Sequence, residues 1–195
     1  GPLTSQQPKC LTTLSAQETI LSRQLRLLAE AGVQDVVVTT GYLKEQVETG
    51  CRASGFPGRI TFVHNPDYET TNYIYSICLA KDLLDDDILL LHGDLVFEPQ
   101  ALDSLLSCKE SCMAVDFGLP LPQKDFKAVI QDGRITAVGV DFFQSAVAAM
   151  PLYKLNRVDW AVWLDQICAL CNGGSRTCYA EEAFNQVSER CCIMP

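Results

Sequence analysis

The side chains best placed to do chemistry stand where an apolar run stops: Ile88-Leu89-Leu90-Leu91 gives way to His92-Gly93-Asp94. Four consecutive apolar residues are too few for a helix and read as a strand buried on both faces. Open α/β sheets bind ligands beyond the carboxyl ends of such strands. Asp94 is therefore a candidate ligand for a hard divalent cation. Gly-Asp is equally an ordinary turn pair, so the stretch alone does not separate a metal ligand from a turn residue.

Other candidates lie on both sides of it. Thr71, Asn72 and Ser76 fall at or near an expected helix start, where N–H groups and hydroxyls can hold anionic or polar groups. Asn72 and Ser76 stand four apart, hence on one helical face. A plainer role, Thr70 or Thr71 capping that helix, is compatible with this. Lys127 could reach a phosphate from the second half of the chain, or be a solvated edge lysine. Glu181 and Glu182 read either as metal-proximal or as solvated residues of a first helical turn. Tyr153, with Tyr68, Tyr73, Tyr75, Trp160 and Asp141, offers aromatic or acidic surface to a cation. Cys168, Cys171 and Cys178 invite a zinc reading. Cys168 and Cys171 lie in a helical pattern, however, with no second Cys-x-x-Cys pair and no nearby His, and the ten cysteines are expected to be free thiols.

The elements that must position these residues alternate. A helical stripe runs over 13–31, with Ser15 and Glu18 spaced as a capping box and Gly32 as its stop. Strands are predicted at 33–40 and 60–63, with a short helix at 42–48 between them. A helix over 71–82, the strand at 88–91 and a helix over 99–108 follow. This is the pattern of a parallel sheet covered by helices. The second half is mixed. Strands at 112–117 and 145–153 bracket a hairpin whose arms, 128–130 and 135–140, flank Asp132-Gly133. Helices are predicted over 158–171 and 180–190, and a strand begins at 191.

With 195 residues, one domain is expected, and 48% hydrophobic content supplies a sizeable core. A net charge of −9 with no Lys/Arg run argues against a nucleic-acid partner. No apolar segment approaches the ~20 residues of a membrane span, and no signal sequence opens the stretch. A soluble cytoplasmic protein without a membrane partner is expected.

Taken together, the motifs resemble a known family. Gly1-Pro2-Leu3-Thr4 with Pro8-Lys9-Cys10-Leu11 resembles the tail of the nucleotidyltransferase signature of the GT-A-like fold. Asn65-Pro66-Asp67-Tyr68, Thr70-Thr71-Asn72, Ile74-Tyr75-Ser76, Gly93-Asp94 with Phe97, and Asp125-Phe126-Lys127 resemble the branch that activates phosphocholine or 2-aminoethylphosphonate with CTP. Tyr179-Ala180-Glu181-Glu182 with Asn185 resembles its late acidic segment.

The resemblance implies a Rossmann-like three-layer α/β/α fold with a mixed, mostly parallel central sheet. It also implies transfer of CMP from CTP to an amino-alcohol phosphate or phosphonate, with Mg²⁺ as cofactor and release of pyrophosphate. Lys9 and Asp94 become the catalytic pair, with Asp94 and Glu182 on the metal. Gly1, Thr71, Asn72, Ser76, Gly93, Lys127 and Tyr153 become nucleotide or substrate contacts. A homodimer is allowed. The family's first strand and most of its Gly-rich loop are expected before Gly1, and a late strand with an acidic residue beyond Pro195. A sugar-1-phosphate nucleotidyltransferase and a non-catalytic nucleotide-binding domain are the alternatives. A glycosyltransferase is disfavoured, because those usually show Asp-x-Asp at the metal strand where this sequence has His92-Gly93-Asp94, and Asp85-Asp86-Asp87 lies at the strand's other end.

Overall fold

The β-branched run Val36-Val37-Val38 forms the heart of β3 (Asp35–Thr40), which pairs in parallel with β4 (Arg59–His64). Parallel neighbours need a crossover, and α2 (Lys44–Ala53) supplies it. The computed structural model describes residues 7–195, and Gly1 lies outside them. Ahead of β3, β1 (Thr13–Ser15) and β2 (Glu18–Thr19) pair antiparallel and α1 (Ile20–Glu30) follows. The predicted helix over 13–31 thus begins later. Thr19, not Ser15, is its cap: the Thr19 hydroxyl accepts from the Ser22 N–H, and Ser22 reciprocates to the Thr19 N–H. Gly32, at φ +85°, stops the helix as expected.

α3 (Tyr73–Leu79) leads to β5 (Ile88–Leu91), then α4 (Pro99–Ser107) and β6 (Ser111–Asp116). β7 (Lys127–Gln131) and β8 (Arg134–Gly139) make the hairpin, with Asp132 and Gly133 both at positive φ. β9 (Ala146–Leu155), α5 (Arg157–Asn172), α6 (Ala180–Val187) and β10 (Ile193–Met194) complete the chain.

β9 is the spine of the main sheet. One edge of β9 pairs with β6; the other takes β7 near Ala148 and β5 from Leu152 to Leu155. β10 joins β6 in parallel, while β5, β6 and β7 all run antiparallel to β9. The sheet is mixed, as expected, but the described pairing of β5 is antiparallel. The run of apolar residues reports burial on both faces and is silent on neighbour direction. Between the footprints of β5 and β7 lie Ala149, Met150 and Pro151, a stretch of β9 where neither strand pairs. Proline cannot donate to a ladder, and at this gap the chain leaves β5 through His92.

Alternate residues of the sheet enter opposite cores. Tyr153, Met113 and Leu90 face α3, α5 and α6 beside Ile74, Trp160, Trp163 and Phe184. Leu152, Cys112 and Leu91 face α1 and α4 beside Leu27, Leu28, Leu102 and Leu105. The result is the expected three-layer α/β/α arrangement. The cysteines are free thiols, and no helix among the described residues is long and apolar enough to cross a membrane.

Candidate functional site

Asp94 and Lys9, 85 residues apart in sequence, meet with Nζ 3.3 Å from Oδ2. Lys9 opens a short 3₁₀ turn (Lys9–Leu11) set by Pro8, whose carbonyl accepts from the Leu11 N–H at 3.0 Å. Leu11 anchors this turn in an apolar cluster with Leu21, Leu25, Val47 and Cys51. Gly50 makes room for it: a Cβ there would stand 2.8 Å from Leu11 Cδ2. The turn after β5 closes through the Leu95 N–H on the His92 carbonyl at 3.2 Å. A Cβ on Gly93 would lie 3.7 Å from the Cys10 Cβ, so the two segments are in contact.

Both charged side chains remain open to solvent, at 68% for Lys9 and 45% for Asp94. Exposed pairs of this kind contribute at most about 1 kcal/mol. The fold therefore brings the two together without depending on their attraction. Asp94 offers hard oxygens on a fixed strand end, a donor suited to Mg²⁺, which takes one or two carboxylates and fills its remaining positions with water and phosphate oxygens. Among the described residues no group of three or more His, Cys, Asp or Glu side chains is arranged to enclose a metal ion by itself.

Thr71 and Ser76 are brought together around Asn65, which in the sequence stands out only as the first residue of Asn65-Pro66-Asp67-Tyr68. Asn65, 2% exposed, donates to Thr71 Oγ1 at 3.0 Å and Ser76 Oγ at 3.1 Å, and its Oδ1 accepts from the Asp67 N–H at 2.9 Å. Gly41 admits this loop, since a Cβ there would lie 2.7 Å from the Tyr68 Cβ. The cap of α3 is Asn72 itself, accepting from the Tyr73 N–H at 2.8 Å, in place of Thr70 or Thr71. Its backbone N–H also donates to the Arg176 carbonyl at 2.8 Å. The side chains of Thr71, Asn72 and Ser76 thus have structural partners within the fold.

Three candidates of the second half, Lys127, Tyr153 and Glu181, are interior. Lys127 is fully buried, donating to the Pro122 and Asp125 carbonyls at 2.6 and 3.1 Å, with its ammonium 4.3 Å from the Phe143 ring centre. The solvated-edge reading of this lysine is thereby overturned: the 122–125 loop and Phe143 cover it. Tyr153, 1% exposed, donates to Glu181 Oε1 at 2.8 Å. Tyr73 donates to the other oxygen of Glu181. Glu181, 1% exposed, is therefore no solvated first-turn residue, whereas Glu182 beside it is exposed. Burial first, and then the Glu181 carboxylate, push the Tyr73 and Tyr153 hydroxyls well above the usual tyrosine range.

Next to this buried carboxylate four rings close a circuit. Tyr73 and His92 stand 4.6 Å apart, His92 and Phe126 5.9 Å, Phe126 and Tyr179 5.3 Å, and Tyr179 and Tyr73 6.0 Å. Burial lowers the His92 pKa from its ordinary 6.5, against the opposing pull of Glu181 and Asp94. Tyr179, Glu181, Glu182 and Asp141 also line a small cleft at the end of β8. Of the remaining aromatic candidates, Trp160 is buried with its N–H on the Leu84 carbonyl, and Tyr75 lies under Arg176. Asp85, before β5, pairs with the Arg157 guanidinium through both oxygens, at 2.7 and 2.8 Å, far from a ligand role.

Comparison with known proteins finds a family match over the first part of the chain. The MobA-like NTP transferase domain matches residues 4–118. The CMP-5′-(3-aminopropyl)phosphonate synthase of Streptomyces rubellomurinus is 40% identical over 111 residues, 57% of this chain and 18% of that protein. The choline-phosphate cytidylyltransferase of Streptococcus pneumoniae is 29% identical over 97 residues, 50% of this chain and 40% of that one. The chain thus spans less than half the length of these relatives. Among solved structures, the CTP:phosphocholine cytidylyltransferase of Streptococcus pneumoniae superposes with a TM-score of 0.75 at 19% identity. That match covers 99% of this chain and 81% of the other, a likeness of fold.

Proposed function

The chain belongs to the MobA-like NTP transferase domain family, and from that premise we propose that it transfers CMP from CTP to an amino-alcohol phosphate or phosphonate, releasing pyrophosphate. Phosphocholine, 2-aminoethylphosphonate and close analogues are the acceptors envisaged. The observation that carries this reading is the Lys9–Asp94 pair, an open cation beside an open carboxylate at a strand end. Both reactants are anions, so the barrier is largely one of repulsion and alignment. Lys9 would neutralise charge on the nucleotide phosphates, and Asp94 would hold Mg²⁺. When bound, Mg²⁺ supplies charge neutralisation and polarises the reacting phosphate. The two relatives named above support cytidylyl transfer through their names, one acting on a phosphonate and the other on choline phosphate.

Support for an amine-bearing acceptor comes from the Tyr73–His92–Phe126–Tyr179 circuit, with Glu181 against it and Glu182 and Asp141 at its margin. Ring faces and carboxylates attract an ammonium group, whereas a hexose asks for a set of hydroxyl-binding polar groups. Lys127 and Tyr153 serve the acceptor region from behind. Lys127 fastens the loop that carries Phe126, and Tyr153 holds Glu181. The test is pyrophosphate release by the full-length protein with CTP and Mg²⁺, comparing phosphocholine, 2-aminoethylphosphonate and glucose-1-phosphate. The reading expects turnover with an amine-bearing acceptor at least ~10-fold above that with the sugar phosphate, a pocket difference of roughly 1.4 kcal/mol. Preference for the sugar phosphate would replace it with a sugar nucleotidyltransferase. No turnover with any acceptor would leave a nucleotide-binding domain without this activity.

A further inference from the structure

We infer that Gln24, inside α1, is a positioning residue for Asp94. It holds both ends of the turn that presents the carboxylate, and so sets the separation between Asp94 and Lys9. Its chemical meaning rests on the nucleotidyl-transfer reading given above.

Gln24 lies among the buried residues of α1, between Leu21, Leu25 and Leu28, and is 6% exposed. A buried amide there is costly unless its donors are met. Both donors are met by one target: Nε2 donates to the His92 carbonyl at 2.9 Å and to the Leu95 carbonyl at 2.7 Å. These are the first and last residues of the turn closed by the Leu95 N–H on the His92 carbonyl. The neighbouring Arg23 extends the grip, donating to the Phe97 carbonyl and to the Glu98 carboxylate, each at 3.2 Å. Two consecutive side chains of α1 thus fasten 92–98, and Asp94 projects from the fastened segment with nearly half of its side chain in solvent.

The same helix also holds Lys9. Leu11 packs with Leu21 and Leu25, and the Ile20 N–H donates to the Thr12 carbonyl at 3.0 Å. Two groups 85 residues apart are therefore referenced to one rigid body. A shared cation or phosphate needs that fixed spacing, because misplacement by about 1 Å can cost ~100-fold in rate. A leucine at position 24 would suit the surrounding apolar cluster. It would leave the two carbonyls without donors and the turn without a tether.

The test uses the full-length protein and Gln24→Met, which keeps length and burial but removes both donors. Gln24→Asn, which keeps the amide one methylene short, serves as a second variant should the first fold poorly. Hydrogen exchange of the metal-free proteins comes first. The inference expects amides of 92–98 to exchange about 10-fold faster in Gln24→Met, with β3 and α5 unchanged and a smaller rise in Gln24→Asn. Binding of Mn²⁺ in the presence of CTP, read by water-proton relaxation, comes second. The dissociation constant is expected to rise about 10-fold or more, the cost usual for losing a group that orients a ligand. The concentration of Mg²⁺ giving half-maximal activation should rise in parallel, with kcat at saturating metal changed less. Exchange that rises evenly over the whole molecule would show a merely structural glutamine and overturn the inference. So would a loosened turn with unchanged Mn²⁺ affinity, or a wild type that binds no Mn²⁺ with CTP. Absence of turnover in the wild type would count against the proposed reaction alone, since exchange and Mn²⁺ binding still decide the role of Gln24.

Discussion

The two ends of the candidate site treat charge in opposite ways. At the Lys9–Asp94 end, both ionisable groups face solvent, and the hydrogen bonds that shape the site come from the backbone and from Gln24 behind it. At the Lys127–Glu181 end, the ionisable groups are sealed inside, and each polar tip is taken up by carbonyls or tyrosine hydroxyls. An open pair contributes little stability and is free to change partners. A sealed group contributes packing and hydrogen bonds and is not free to do so. Under the proposed function, chemistry falls to the first end and shape to the second.

That division can be broken by substitution. Lys9→Met is expected to lower cytidylyl transfer by about 10–100-fold, with stability changed by less than about 1 kcal/mol. Steady-state kinetics alongside urea denaturation would check both halves. Equal losses of activity and stability would erase the distinction between the two ends. Lys127→Ala is expected to do the reverse. It strips the Pro122 and Asp125 carbonyls of their donor and opens a cavity beneath Phe143, costing about 2–4 kcal/mol in urea denaturation. A stability change below about 0.5 kcal/mol would show that its burial is incidental.

A smaller effect is expected at the seam between the two ends. Burial holds the folded pKa of His92 below 6.5 despite Glu181 and Asp94. As pH falls below that value, the unfolded chain takes up the proton first. The stability linked to His92 is therefore full above pH 6.5 and is lost as pH falls through the folded value. Melting temperatures of wild type and His92→Gln should run parallel above pH 6.5 and converge or cross below it, the wild type falling faster. Parallel curves throughout would place His92 in a wetter setting than the aromatic circuit gives it.

How much of this was legible beforehand depended on distance along the chain. Asp94 could be read directly, because an apolar run that ends in Gly-Asp marks a strand end locally. The antiparallel pairing of β5 with β9 could not, because periodicity carries burial and not direction. Lys9 was reachable only through resemblance, since nothing near Pro8-Lys9 signals a partner 85 residues away. The start of α1 was misplaced because Ser15 with Glu18 matches the spacing of a capping box as well as Thr19 with Ser22 does. Lys127 and Glu181 carry charges that sequence habit puts on the surface. Their burial depends on Phe143, Tyr73 and Tyr153, which arrive from other elements. Gln24 stands on the apolar stripe of Leu21, Leu25 and Leu28, where periodicity places it but says nothing of the His92 and Leu95 carbonyls it meets. Asn65 showed itself only as the first letter of a motif. Its place at the centre of Thr71 and Ser76 emerged from the fold.

Under the proposed function, the open carboxylate of Asp94 does the chemistry while contributing almost nothing to stability. Pyrophosphate release with CTP, Mg²⁺ and the preferred acceptor, measured on wild type and Asp94→Asn at matched melting temperature, tests it most directly. The expected loss is at least ~100-fold, with melting temperatures within ~2 °C. Turnover within about threefold of wild type, less than 1 kcal/mol of barrier, would contradict it and return Asp94 to the role of a turn residue.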